Sequence, residues 1–176
     1  MGARVTRRVA LPILMAVLST GLGATEKVSD LQAKFDSESN GVRKARMIER
    51  LGDAQFAEAS RAERDGNYAT VDLILEKYRD NIGAATAALE KDNPDGERHP
   101  NGYKQLEMHV QKGLREVDEI LLVAPPEFKP PLQLVRQDLL NLDDQLLRSL
   151  FPRKHENKPP AAPTPTAHPS VSEAPL

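Results

Sequence analysis

The sequence predicts an all-α protein: a small antiparallel bundle of four main helices, a fifth and weaker helical segment ahead of them, and a disordered proline-rich C-terminal tail. Three observations predict it. Apolar residues recur at spacings of three and four through the middle of the chain, the period of a helix face. Aromatic residues make up only 4% with no Trp, so the core must come from Leu, Ile, Val, Ala and Met, which helices supply more readily than sheets. Glycine, asparagine and proline fall between the periodic stretches, where they stop helices. At 176 residues the chain suits one compact domain with appendages.

The first 24 residues obey other rules. Arg4, Arg7 and Arg8 form a positive flank, Val9 to Gly23 is uncharged and mostly apolar, and Gly21, Gly23 and Ala24 are small. This is the layout of a secretory signal peptide, with cleavage expected after Gly23 or Ala24. The apolar stretch is 15 residues, short of the ~20 that a membrane-spanning helix needs, so an uncleaved anchor is the lesser reading. Arg7-Arg8 also allows twin-arginine export, and Met1-Gly2 with Thr6 matches a myristoylation pattern that the adjacent export signal makes accidental. The chain has no cysteine, so it has no disulfide and must fold on packing alone. Domain bounds follow: 1–24 signal peptide, 25–151 helical bundle, 152–176 tail.

Within 25–151, Ser29 and Gln32 resemble a capping box ahead of Leu31 and Phe35, a weak helix that Asn40-Gly41 interrupts. A firmer helix spans about 42–64, with Val42, Ala45, Ile48, Leu51, Gln55, Ala59 and Ala62 on one stripe and Gln55 as its polar exception. Asp65-Gly66-Asn67 stops it. Tyr68, Val71, Leu75, Tyr78, Ile82, Ala85 and Leu89 then repeat as a coiled-coil-like seam that Leu73 and Ile74 widen. Residues 92–102 read as a solvated linker rich in glycine, proline and charge. The next helix, about 103–122, turns Leu106, Val110, Leu114, Val117 and Leu121 inward. Gly113 weakens its interior, either for close contact or by simple tolerance. Pro125 and Pro126 end it. Pro130 and Pro131 open the last helix, whose inner row is Leu132, Val135, Leu139, Leu142, Leu146 and Leu150, with Leu134, Leu140 and Leu147 flanking.

Beyond Leu150 there are seven prolines from Pro152 to Pro175 and almost no large apolar side chain. Such a segment has nothing to bury, so an extended, disordered spacer is expected.

Charge excludes some partners. The chain carries 24 basic and 26 acidic residues, a net of -2. Loss of the leader's three arginines leaves 21 against 26, or -5. A mildly acidic protein lacks the long-range pull that nucleic acid or anionic lipid requires, so neither nucleic-acid binding nor stable membrane insertion after leader cleavage is expected.

Gly66, Asn67 and Tyr68, with Val71 and Leu75 behind them, resemble the hairpin turn of a tetratricopeptide repeat. The resemblance covers Gly66 to Leu75. The tryptophan-leucine-glycine opening of that motif is absent and no second unit follows, whereas a peptide-binding solenoid stacks at least three. The overall layout of leader, charged Leu/Ala-rich helices and proline-rich tail also resembles uncharacterised bacterial secreted or envelope helical domains. That likeness implies placement outside the cytoplasm and transfers no functional residue.

No catalytic, cofactor-binding or metal residue is assigned from the sequence, and no cofactor is implied. Of His99, His109, His155 and His168, only His109 falls in a helix. Paired with Glu107 or Glu116 it offers weak metal ligation, and the simpler reading is a solvated histidine. The adjacent acids Glu116, Asp118 and Glu119, and Asp143 with Asp144, point in different directions around a helix and read as solvating groups. Arg43, Lys44 and Arg46 read as an ordinary charged face. There is no phosphate loop, nucleophile elbow or dinucleotide fingerprint. The expected function is therefore a non-enzymatic exported protein, periplasmic or secreted, with a structural or protein-interaction role in the bacterial envelope through an envelope partner or self-association. The alternative is a small-ligand or metal-binding sensory bundle in which Tyr68, Tyr78 and Tyr103 line an internal site, packed core tyrosines being the plainer account.

Overall fold

The three-and-four rhythm resolves into five helices in the computed structural model, which describes residues 27–152: α1 (Val28–Ser37), α2 (Gly41–Arg64), α3 (Tyr68–Asp92), α4 (Pro100–Val123) and α5 (Lys129–Leu150), with a single 3₁₀ turn at Pro126–Phe128. The described residues contain no strand. The leader and the tail from residue 153 onward lie outside the described residues.

Local chemistry sets the helix ends. The Asn40 side chain accepts from the backbone N–H of Arg43 at 3.0 Å and that of Asn67 from Thr70 at 3.2 Å, each satisfying one of the amides a helix start leaves open. Gly66 has φ +69°, the left-handed conformation that lets α2 stop and the chain reverse. Pro100 opens α4, three residues earlier than the apolar rhythm suggests, because a first-turn proline gives up no helical hydrogen bond. The expected eleven-residue linker shrinks accordingly to residues 93–99.

α2 and α3 form one antiparallel hairpin, α4 and α5 a second. The hairpins stack so that α2 packs on α4 and α3 on α5. These cross-hairpin neighbours run parallel, as Arg79 to Asp138 and Glu90 to Gln145 pair in the same order along α3 and α5. α3 and α4 meet across the bundle axis, where the Tyr78 ring lies against Gly113. The Gly113 position is thus a close contact. A Cβ there would stand 2.5 Å from the Tyr78 ring. The core is one continuous cluster from Leu31 and Phe35 in α1 through Ile48, Leu75, Ile82, Leu89, Leu106, Val110, Leu139 and Leu146. No helix among the described residues is long and apolar enough to cross a membrane.

Several stripe assignments change. Leu73 does not widen the α3 seam but faces outward. In α4 the buried residue of the last turns is Ile120, with Leu121 only half-buried. In α5 Leu134 is exposed, and Asp143 rather than Leu142 takes the buried position. Each change follows from a helix advancing 100° per residue: a three-four count fits two neighbouring rows equally well until a partner helix selects one.

The segment read as a weak helix is a full part of the core. α1 buries Leu31 and Phe35, but it has no capping box: no side chain caps its start, and Ser29 bonds to Asp30 instead. Gln32, the supposed box partner, exchanges two hydrogen bonds with Asn81 of α3, at 2.9 and 3.0 Å. Asn81 also reaches the buried Gln55 of α2 at 3.4 Å, which accounts for the polar break in the α2 stripe. Replacing Asn81 with alanine would strand the Gln55 amide in the core. We expect a loss of about 1–3 kcal/mol, read from the urea midpoint, with the largest rise in amide hydrogen exchange in α1. An unchanged midpoint would mean that these amides hold nothing together.

Candidate functional site

Where α2 and α4 run side by side, small residues on α2 let α4 come close, and the His109 ring fills the space at Gly52. Ala45 and Gly52 lie on the α2 side, and a Cβ at Gly52 would stand 2.3 Å from Cε1 of His109. The half-open cleft there, about 340 Å³, is lined by Ala45, Arg46, Glu49 and Asp53 of α2 and Gln105, Met108, His109, Lys112 and Arg115 of α4. His109 is only 7% exposed, so the expectation of a solvated histidine is wrong. The reason is register: His109 stands three residues after Leu106 and four before Gly113, on the inward row.

The imidazole is held from both sides. Its Nδ1 lies 3.0 Å from the Tyr78 hydroxyl and its Nε2 3.3 Å from Asp53 Oδ1. Phe56 stacks on its face at 5.7 Å and tilts against Tyr78 at 4.6 Å. Lys112 donates to the same Asp53 oxygen at 2.7 Å. Tyr78 carries a single hydroxyl proton and faces two acceptors, Nδ1 and the His109 carbonyl oxygen at 2.8 Å. When the proton goes to Nδ1, Nε2 carries the N–H and donates to Asp53. When it goes to the carbonyl, Nδ1 must carry the N–H, and Nε2 meets the carboxylate without a proton unless the ring is charged. The orientation of the Tyr78 hydroxyl and the tautomer of the imidazole are therefore coupled.

Burial pushes the His109 pKa below its ordinary 6.5; the Asp53 carboxylate opposes this shift and Lys112 adds to it. Burial also raises the Tyr78 phenol well above its ordinary range, with Asp53 and Glu116 acting in the same direction, so it remains a protonated donor. The sign of the stability effect follows. The unfolded chain takes up the His109 proton near its ordinary 6.5, before the folded chain does. Stability should therefore fall as pH drops from about 6.5 toward the depressed folded value. Asp72 and Glu107, whose pKa values burial raises, act with the opposite sign at more acidic pH. The measurement is the urea midpoint between pH 8 and 5.5 in the native chain and in His109→Gln. The decline should be shallower in the variant, and equal slopes would rule out His109 as its source.

No family model, curated protein or solved structure matches the chain.

The other candidate residues disperse. Neither Glu107 nor Glu116 bonds to His109, and no group of three His, Cys, Asp or Glu able to hold a metal occurs among the described residues. Tyr68 stacks on Phe128 at one end of the bundle. Tyr78 sits in its middle, and Tyr103 donates to the Asn93 carbonyl at the other end, at 2.9 Å. The three tyrosines line no common site. His99 is exposed in the α3–α4 connection, and His155 and His168 lie outside the described residues. Asp143 is not a solvating acid: it is buried, one oxygen accepts from Gln111 at 2.9 Å, and the other has no partner. Arg43 bonds to Glu38, which it and the Asn40 backbone N–H hold down at a pKa of about 2. Lys44 lies over the Phe35 ring at 4.6 Å, so only Arg46 of that basic trio faces the cleft. Asp53 and Gly52 carried no sequence signal by themselves. Gly52 and Gly113, two mid-helix glycines, were the trace that a bulky pair packs between the hairpins.

Proposed function

We propose that this is a non-enzymatic exported helical protein that acts in the bacterial envelope by contact with another protein. The observation that carries the reading is the placement of its uncovered apolar side chains. Leu73 early in α3, Leu122 and Val123 at the end of α4, and Leu134 early in α5 are all well exposed, Leu122 at 81%. The antiparallel hairpins bring these four to the same end of the bundle, while the other two exposed large hydrophobics, Met108 midway along α4 and Phe151 after α5, lie away from it. Large exposed aliphatics concentrated at one end are what a protein contact uses. The leader's layout supports placement outside the cytoplasm, periplasmic or secreted, and the proline-rich composition after Leu150 suits a spacer.

Photo-cross-linkers placed at Leu122 and Leu134 in cells test it. A discrete adduct in the envelope fraction is expected, either with another protein or with a second copy. The adduct from the Leu122 position should vanish when Leu73, Val123 and Leu134 become serine in a chain that keeps its helical circular dichroism. No adduct, together with a purified monomer that turns over a substrate, would overturn the reading.

A second reading, a small-ligand-binding bundle, is favoured by one observation: the buried imidazole edge at the floor of the α2–α4 cleft.

A further inference from the structure

The charges around the α2–α4 cleft are arranged lengthwise. Arg46 stands two helical turns before Asp53 on α2, and Arg115 stands a turn beyond Lys112 on α4. Because the helices run parallel and Asp53 meets Lys112, Arg46 lies level with about Gln105, and Arg115 stands some 15 Å further along the axis. Both arginines are exposed, and neither has an ion-pair or hydrogen-bond partner among the described residues. Between them, Asp53 and Lys112 satisfy each other, and Asp53 also receives the His109 ring. Glu49, on the rim three residues from Arg46, is the remaining charge. Apart from Glu49 near the Arg46 end, the charges of the middle cancel, with the imidazole edge, Gln105 and the apolar Ala45 and Met108 beside them, while each end carries an open guanidinium.

We propose that this cleft binds a small organic dianion, a dicarboxylate or a phosphate ester with a second acidic group, lying lengthwise with its acidic ends on Arg46 and Arg115. Guanidinium suits this work because its planar fork meets carboxylate and phosphate oxygens with two parallel hydrogen bonds. The apolar middle of the ligand covers Ala45 and the Met108 side chain. The Gln105 side-chain amide offers a polar contact part-way along, while His109 Nε2 stays with Asp53 and its ring edge forms part of the cleft floor. Glu49 discriminates against ligands carrying a third acid group near the Arg46 end. The inference rests on the small-ligand reading and names its chemical class.

The purified protein titrated with succinate, glutarate and phosphoglycerate, followed by amide and imidazole nuclear magnetic resonance, provides the test. Acetate, a neutral sugar and putrescine form the comparison arms. Saturable binding of at least one dianion is expected at a Kd of about 1 mM or tighter. Shifts should centre on residues 45–53 and 105–115 and include the His109 ring. Acetate should bind at least about tenfold more weakly. The double variant Arg46→Gln, Arg115→Gln should lose about tenfold or more in affinity while its thermal melt stays unchanged, since neither side chain supports the fold. Equal affinity in the double variant, or shifts elsewhere on the surface, overturns the site. Saturable binding of the sugar or putrescine in the cleft, with no dianion response, overturns the anionic class but leaves the small-ligand reading standing. A flat response in every arm overturns both.

Discussion

Gly41→Ala is expected to destabilise the protein by about 3 kcal/mol, at the upper end of what overpacking costs, whereas the same change at Gly83 should stabilise it by about 0.5–1 kcal/mol. The difference lies in what the added methyl meets. At Gly41 a Cβ would stand 2.5 Å from the Ala88 carbonyl oxygen and 2.7 Å from the Leu89 nitrogen. Those are backbone atoms, and no rotamer change can move them. The contact is also pinned from several sides. The Gly41 N–H donates to Asp92 at 2.7 Å, Asn40 caps the helix beside it, and Lys44 reaches back to the Glu38 carbonyl. Relief would require the start of α2 to lift away from the end of α3, uncovering Leu89 and Ala45. At Gly83 nothing lies within 4 Å of the added Cβ, so the alanine only lowers the entropy of the unfolded chain and favours the helix. Urea unfolding of both variants checks the pair. A Gly41→Ala midpoint equal to that of the native chain would mean that the α2–α3 junction is looser than its distances imply.

Gly41 also marks a limit of sequence reading. Asn40-Gly41 was legible as a break between helices, because asparagine and glycine commonly sit at helix ends. That the glycine is needed for contact with a backbone 47 residues away was not legible, since nothing near it in the chain names Ala88. The same division runs through the molecule. The four long helices, their hairpin turn at Gly66 and most of their inner rows follow from periodicity, which is a local property. Which of two adjacent rows faces inward is decided by a partner, and periodicity alone misplaces Leu73, Leu121, Leu134, Leu142 and Asp143 for that reason. Polar residues on an inward row were the least readable of all. Gln55 reads as an exception, nothing in the sequence marks Asn81, and His109 reads as solvated, yet each is buried because another helix supplies its hydrogen bond. Periodicity carries no information about such a partner. The α2–α4 cleft depends on three of these distant pairings, His109 with Tyr78, His109 with Asp53 and Asp53 with Lys112, so it emerges only once the hairpins are stacked.

Tyr78 connects that cleft to the core, and truncating it to alanine is expected to cost about 3–5 kcal/mol. The ring is fully buried, rests on Gly113 and packs against Phe56, so little can collapse into the space it leaves. Tyr78→Phe separates the hydroxyl from the ring. Phenylalanine fills the same volume, but His109 Nδ1 and the His109 carbonyl lose their shared donor. We expect a loss of about 1–3 kcal/mol, the range for stranding a buried polar group. A second readout follows from the geometry. With no hydroxyl at Nδ1, only Asp53 and the helix backbone orient the imidazole, so the balance of its two neutral tautomers should change in nitrogen-15 spectra. The comparison is Tyr103→Phe, which removes a hydrogen bond to the Asn93 carbonyl at the edge of the bundle. Only one acceptor, the carbonyl of the half-buried Asn93, loses its donor there, so the change should cost no more than about 0.5–1.5 kcal/mol and leave the His109 spectrum as it was. If Tyr103→Phe proves as damaging as Tyr78→Phe, or the imidazole signals ignore the loss of the Tyr78 hydroxyl, then the phenol fills space and is not coupled to the histidine tautomer.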